Sequence, residues 1–261
     1  METTKKRGLS GSTLKIIAIV TMLIDHVGAA LLGRLLIKEG YLDVMATNDI
    51  TAITLWVQEH MTLFRSYEIS RYIGRIAFPI FCFLLIEGFL HTHNVKKYAV
   101  RLGGFALLSE IPFDLAFSAR VLEFGYQNVF FTLLIGLLVI MGMDRINRLN
   151  SNQFGVWVLK LLVLATGAFV AEFLRTDYGA IGVFCITTLY VFHNKKALQM
   201  IAGCVVFLWE LTAPLAFIPI GFYNKKRGLK LKYIFYIFYP LHLLIIYLIC
   251  VYMGIHGYAV I

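Results

Sequence analysis

The sequence is short of charge. Asp, Glu, Lys and Arg make up 15% of its 261 residues, against about 25% in a soluble domain. That shortage excludes an ordinary water-soluble globule. Cysteine is sparse as well. Cys82, Cys185, Cys204 and Cys250 each stand alone in an apolar run, with no CxxC spacing. A disulfide framework or metal knuckle is therefore excluded as the organising device, and the four thiols read as small buried apolar side chains. Several signatures of chemistry are missing too. The chain has no Gly-x-Ser-x-Gly elbow, no HExxH and no Walker A loop, so a serine triad, zinc proteolysis and ATP coupling lack support.

Apolar residues are what the chain has in excess, at 59% with a mean hydropathy of +0.77. They fall in runs near the roughly 20 residues that cross a bilayer. Nine such segments can be marked: Leu14–Leu36, Tyr72–Leu90, Tyr98–Phe117, Asn128–Met143, Gly155–Leu174, Gly179–Phe192, Ala197–Trp209, Ala213–Phe222 and Tyr233–Met253. The seventh and eighth are short, and read either as thin crossings or as a re-entrant pair covered by neighbours. The pattern predicts an all-α, polytopic integral membrane helical bundle with about nine transmembrane segments. It is one domain over residues 1–261, with 1–13 as a cytoplasmic tail. Lys5, Lys6 and Arg7 precede the first run as in a signal peptide. That run continues to Leu36 and contains Asp25 and His26, which predicts a retained first helix.

The net charge of +9 would raise nucleic acid as a partner in a soluble protein. Position explains it here. With the N-terminus inside, one side collects Lys5, Lys6, Arg7, Lys15, Lys96, Lys97, Arg101, Arg145, Arg148, Lys160, Lys195, Lys196, Lys225, Lys226, Arg227, Lys230 and Lys232. The other keeps Arg34, Lys38, Arg65, Arg71, Arg75, Arg120 and Arg175. Cytoplasmic loops hold the basic residues, so the bias predicts N-in, C-out and needs no nucleic acid. The long outer connection, residues 37–70, carries Trp56, Phe64 and Tyr67 and predicts an amphipathic helix on the outer face, placed to cap a site.

Ionisable residues inside such runs cost about 2.5–3.5 kcal/mol each on insertion scales, so they face protein or water. Lys15 and His26 are eleven residues apart, about 16 Å along one helix face. Arg71 and Arg75 form an i,i+4 pair. Ser109-Glu110-Ile111-Pro112-Phe113-Asp114, Gln127-Asn128 and Tyr239-Pro240-Leu241-His242 place further polar groups in other segments. Buried ion pairs that merely hold helices together would account for any one of them. Together they fit a site for proton abstraction and charge stabilisation. His26 has the pKa range of a general base, one of Asp25, Glu110 or Asp114 orients it, and Arg75 or a helix end holds a developing oxyanion. The competing reading is a transporter of a small charged solute, which also keeps ionisable groups at the midplane.

Leu14-Lys15-Ile16-Ile17-Ala18 through Ile24-Asp25-His26-Val27-Gly28, Gly74-Arg75-Ile76-Ala77-Phe78-Pro79-Ile80-Phe81, Leu85-Ile86-Glu87-Gly88-Phe89, the Ser109–Asp114 stretch and Tyr239-Pro240-Leu241-His242-Leu243 resemble the TraX family. Its namesake N-acetylates F-type conjugative pilin. The family is in turn similar to the membrane acyltransferase-3 superfamily, whose first helix carries a basic residue, ten intervening residues and a histidine. Lys15 to His26 has that spacing, with Lys in place of the more usual Arg.

The resemblance implies a bacterial inner-membrane acyltransferase. Its donor is acetyl-CoA or another acyl-CoA from the cytoplasm, no metal takes part, and the other partners are membrane lipids and an acceptor on the outer half. That acceptor is a pilin N-terminal amine or an envelope glycan or lipid. His26 becomes the catalytic base, supported by Asp25, Arg75 and Glu110. Lys15, Arg71 and Arg75 contact the donor, and Asp114, Asn128, Tyr239 and His242 contact the acceptor.

Overall fold

A computed structural model describes residues 8–149, 152–229 and 232–260. Lys5, Lys6, Arg7 and Lys230 of the basic set lie outside the described residues. The described chain is helical throughout, with two isolated bridges and no strand.

Helix α1, Gly11–His26, runs through a π-helical stretch, Val27–Leu32, into α2, Gly33–Lys38. Together they make a 28-residue rod. Ser10 caps its start, accepting from the Thr13 amide at 3.2 Å. Residues 37–70, expected to hold one surface helix, form α3 (Tyr41–Ala46), α4 (Ile50–Glu59) and most of α5 (Met61–Gly74). A bend at Arg75 and Ile76 leads into α6, Ala77–His91, and α5 with α6 spans 31 residues. Then come α7 (Val95–Phe117), α8 (Val129–Asn147), α9 (Gln153–Phe173) and α10 (Gly179–Val191). Asn94, Asn128 and Asn152 cap α7, α8 and α9 through their side-chain oxygens. An asparagine immediately before each apolar run therefore marks where it starts.

The seventh and eighth segments turn back. Helix α11, Lys196–Val206, has eleven residues and rises about 16 Å, half of a bilayer core of about 30 Å. A 3₁₀ turn, Ala213–Ala216, and the five-residue α12, Phe217–Gly221, follow. Lys196 Nζ donates to Gly221 O at 2.6 Å, which places the start of α11 beside the end of α12. The two helices therefore form a hairpin. Helix α13, Lys232–Tyr252, closes the fold. Among the described residues, four helical stretches are long and apolar enough to cross a membrane: Gly11–Lys38, Met61–His91, Val129–Asn147 and Gln153–Phe173.

Lipid tails are as apolar as leucine, so packing rather than burial alone must draw these helices together. Small residues make the close approaches. A Cβ on Gly136 would strike Ile186, one on Gly167 would strike Val139, and one on Gly203 would strike Phe217. Around them Ile80, Leu137, Ile140, Ile186 and Leu189 are fully buried, as are Cys82 and Cys185. The four cysteines are unpaired. Leu161, Leu162, Phe169 and Phe173 on α9 face outward, as a lipid-facing helix requires.

Both ends of the chain are tied to this frame. The Leu9 amide donates to Phe222 O at 2.8 Å, the Asn224 amide donates to Leu9 O at 2.9 Å, and the Leu229 amide donates to Ser12 Oγ at 3.0 Å. At the opposite end of the rod Arg34, with no exposed surface, donates from Nε to Tyr258 O at 2.7 Å and from Nη2 to Leu115 O at 3.0 Å. Hydrogen bonds from a charged donor contribute about 1.5–3 kcal/mol each. Arg34→Leu is therefore expected to lower stability by roughly 3 kcal/mol, seen as a fall in the thermal midpoint of the detergent-solubilised protein. Arg34→Lys, able to serve one carbonyl, should fall in between.

Candidate functional site

His26 lies fifteen residues into the first rod, about 23 Å from its capped start. A cavity of about 220 Å³ opens beside it. The polar part of its wall includes Asp25, His26, Arg71, Arg75, Tyr126, Asp177 and Tyr178. Tyr41, Leu42 and Tyr67 close it from the 37–70 connection, and Val260 from the C-terminal stretch.

Two ion pairs frame the cavity. Arg71 Nη1 meets Asp25 Oδ2 at 2.9 Å, and Arg75 Nη1 meets Glu210 Oε1 at 2.9 Å. Glu210 comes from the turn between α11 and the Ala213–Ala216 3₁₀ turn, which Thr212 also fixes by donating to Tyr72 O at 2.6 Å. Arg75 is further bonded to the Tyr178 side chain, whose ring stacks on Phe78 at 3.7 Å. The first pair depends on a glycine: a Cβ on Gly74 would collide with the Asp25 side chain. Adjacent to His26 the helix widens into its π-helical stretch, a distortion frequent at functional sites. Gly28 there packs on Ser70, with no room for a side chain.

His26 Nδ1 and His242 Nε2 are 2.7 Å apart, with the rings nearly parallel. The expected carboxylate partner is not what the geometry supplies. Asp25 is taken by Arg71. Glu110 Oε2 accepts from the Asn128 side chain. Asp114 Oδ2 accepts from the Glu123 amide at 2.8 Å.

Of the ten residues singled out from sequence, Asp25, His26, Arg71 and Arg75 line the cavity together. Glu110, Asp114, Asn128, Tyr239 and His242 stand outside its lining. Asn128 is fully buried as the cap of α8, and Tyr239 is buried with its ring edge against His26. Lys15 sits three turns away at the other end of the rod.

Tyr126, Asp177, Tyr178 and Glu210 were not singled out. Asp177 is the clearest of them. The Tyr126 hydroxyl donates to Asp177 Oδ1 at 2.7 Å, and the Thr132 hydroxyl donates to Asp177 O. The sequence signal is a turn: Tyr178 takes a φ of 68° and Gly179 of 44° directly after it. Nothing in periodicity reveals that this turn folds inward over His26.

Burial pushes the Asp177 carboxyl up to about 6. The hydrogen bond from Tyr126 opposes that rise, Asp25 adds to it, and Arg71 and Arg75 offset it. A folded-state value above the unfolded one means that the folded protein holds more protons between them. Stability from this group is therefore present on the acid side and lost as pH rises through about 6. Asp177→Asn keeps an oxygen for Tyr126 and cannot ionise. It is expected to exceed the wild type in stability at pH 8, by on the order of 2 kcal/mol, and to match it near pH 4. Thermal midpoints of the two proteins across that range read the difference.

A helical membrane bundle with a polar cavity, walled by a histidine and two paired arginines, defines the class of protein. The chain belongs to the TraX family, whose model, described as TraX protein, matches residues 10–250. It is also 32% identical over 208 residues to the probable fimbrial assembly protein FimC, serogroup H1, of Dichelobacter nodosus. That match covers 68% of this chain and 81% of the relative. No solved structure matches.

Proposed function

We propose that the protein is a membrane-embedded acyltransferase. It moves an acetyl or other short acyl group from acyl-CoA to an acceptor at the cavity, with His26 as general base. The observation that carries this reading is the placement of His26 in a cavity wall beside Arg71 and Arg75. Membership of the TraX family and similarity to a protein named for fimbrial assembly favour a pilin N-terminal amine as acceptor. An envelope glycan hydroxyl is the other acceptor of suitable chemistry.

In the proposed reaction the His26 imidazole removes a proton from the acceptor amine or hydroxyl as its lone pair attacks the thioester carbonyl carbon. The carbonyl electrons move to oxygen, and Arg75 stabilises that oxyanion; it is pinned by Glu210 and so pays little reorganisation at that moment. Collapse breaks the carbon–sulfur bond, and the thiolate leaves with the proton held by His26. Asp25, held by Arg71, stands in the same cavity wall as the imidazolium formed in between.

The donor's phosphates fit the opposite end of the molecule. Lys195, Lys225, Lys226 and Arg227 are clustered there, and Glu210 is the single acidic residue after Asp177. The N-terminal side is the cytoplasmic one in this reading, which makes the bacterial inner membrane the location. Lys15, at the same end of the rod, marks the donor's way in.

Purified protein, radiolabelled acetyl-CoA and an envelope extract test the reading. Wild type should yield a labelled acceptor. His26→Ala should lose at least about a hundredfold in transfer while eluting from size exclusion as the wild type does. Equal transfer by both proteins, or an absence of acyl-CoA binding, overturns it.

A further inference from the structure

The two imidazoles at the site form a chain with a direction. Phe238 O, a carbonyl, can only accept, and His242 Nδ1 lies 2.7 Å from it. His242 Nδ1 therefore carries a proton. A neutral imidazole protonated there has a bare Nε2, and that nitrogen is the one 2.7 Å from His26 Nδ1. His26 must donate from Nδ1, which leaves its own Nε2 bare. A bare Nε2 is what a base at this position needs.

We propose that His242 is a positioning residue, which fixes His26 in the tautomer with an unprotonated Nε2. The inference rests on the reading of His26 as general base. His242 is 4% exposed and outside the cavity lining, so it meets no acceptor and acts through its neighbour. Its ring is held by Phe238, stacked at 4.7 Å, and by the edge of Tyr239 at 5.6 Å. Phe117 and Tyr239 pack edgewise on His26 at 5.4 and 5.8 Å, so neither imidazole can flip without displacing a neighbouring ring.

The oxygens of the nearby carboxylates that find partners find them away from His26: Asp25 Oδ2 on Arg71, Glu110 Oε2 on Asn128, Asp114 Oδ2 on the Glu123 amide. When His26 Nε2 takes the acceptor's proton, the Nδ1 proton stays on His26. The hydrogen bond to His242 then becomes charge-assisted and strengthens. The same relay therefore orients the base and steadies its cationic form, with no proton passing to His242.

Nitrogen NMR of the full-length protein, labelled at histidine and held in lipid nanodiscs, reads the tautomer directly. His26→Ala serves to assign the resonances. The expected result is a protonated Nδ1 and a bare Nε2 at His26 in the wild type, lost in His242→Leu. A bare Nδ1 at His26 in the wild type overturns the relay whatever the activity. In the transfer assay His242→Gln, whose side-chain oxygen can accept from His26, should stay within roughly tenfold of wild type. His242→Leu should fall roughly a hundredfold or more with the KM for acyl-CoA unchanged. If His242→Leu transfers as wild type does while His26→Ala does not, the relay is wrong and the base reading stands. If no protein transfers an acyl group, the base reading fails, and the NMR result still decides the tautomer.

Discussion

A polar group in an apolar surrounding must find its partner inside the protein, because no water is there to supply one. In this chain the pair between Arg71 and Asp25 shows how far that requirement reaches. It joins the first rod to the α5–α6 rod at the level of His26. It demands a glycine at 74, and it turns Asp25 Oδ2 to Arg71 while the imidazole next to it in sequence pairs with His242. Arg75, one turn on, must then be met from elsewhere, and the turn after α11 brings Glu210 to it. A buried pair of this kind gains little stability over apolar packing, since desolvation offsets most of the attraction. Its effect lies in register: only one sliding position of each helix lets every charge find its partner.

How much of this could be read from the sequence follows from range. The helices were legible because hydropathy and capping asparagines are local. Asn94, Asn128 and Asn152 each stand at a boundary that a run of apolar residues already suggested. Asp25, His26, Arg71 and Arg75 were legible as a set because an ion inside an apolar run must face inward, and a cavity is one of few places for it. The pairing among them was not. His26 meets a residue 216 positions away, and no periodicity encodes which of several polar groups on α13, α7 or α1 will lie at the same height. Asn128 shows the same limit: a polar side chain at the mouth of an apolar run does not reveal that it caps its own helix and holds Glu110.

Segment lengths leave a similar gap. Thirteen apolar residues at Ala197–Trp209 and ten at Ala213–Phe222 are too few for two comfortable crossings and too many for a loop. A tertiary contact, Lys196 to Gly221, holds their open ends together, and the Arg75–Glu210 pair ties the turn between them to the cavity. That turn therefore carries part of the cavity's charge balance.

The first rod is bound at three heights to the last forty residues of the chain. Ser12 takes the Leu229 amide, His26 meets His242, and Arg34 holds Tyr258. A ribosome makes that rod first and its partners last. During synthesis the rod must therefore wait in the membrane with its histidine unmatched and its arginine held by Leu115 alone, while everything between is threaded. The final helix then acts as a keystone, seating the oldest helix only when the newest arrives. A chain interrupted anywhere before it would reach the membrane with its helices in place and its histidine unpaired.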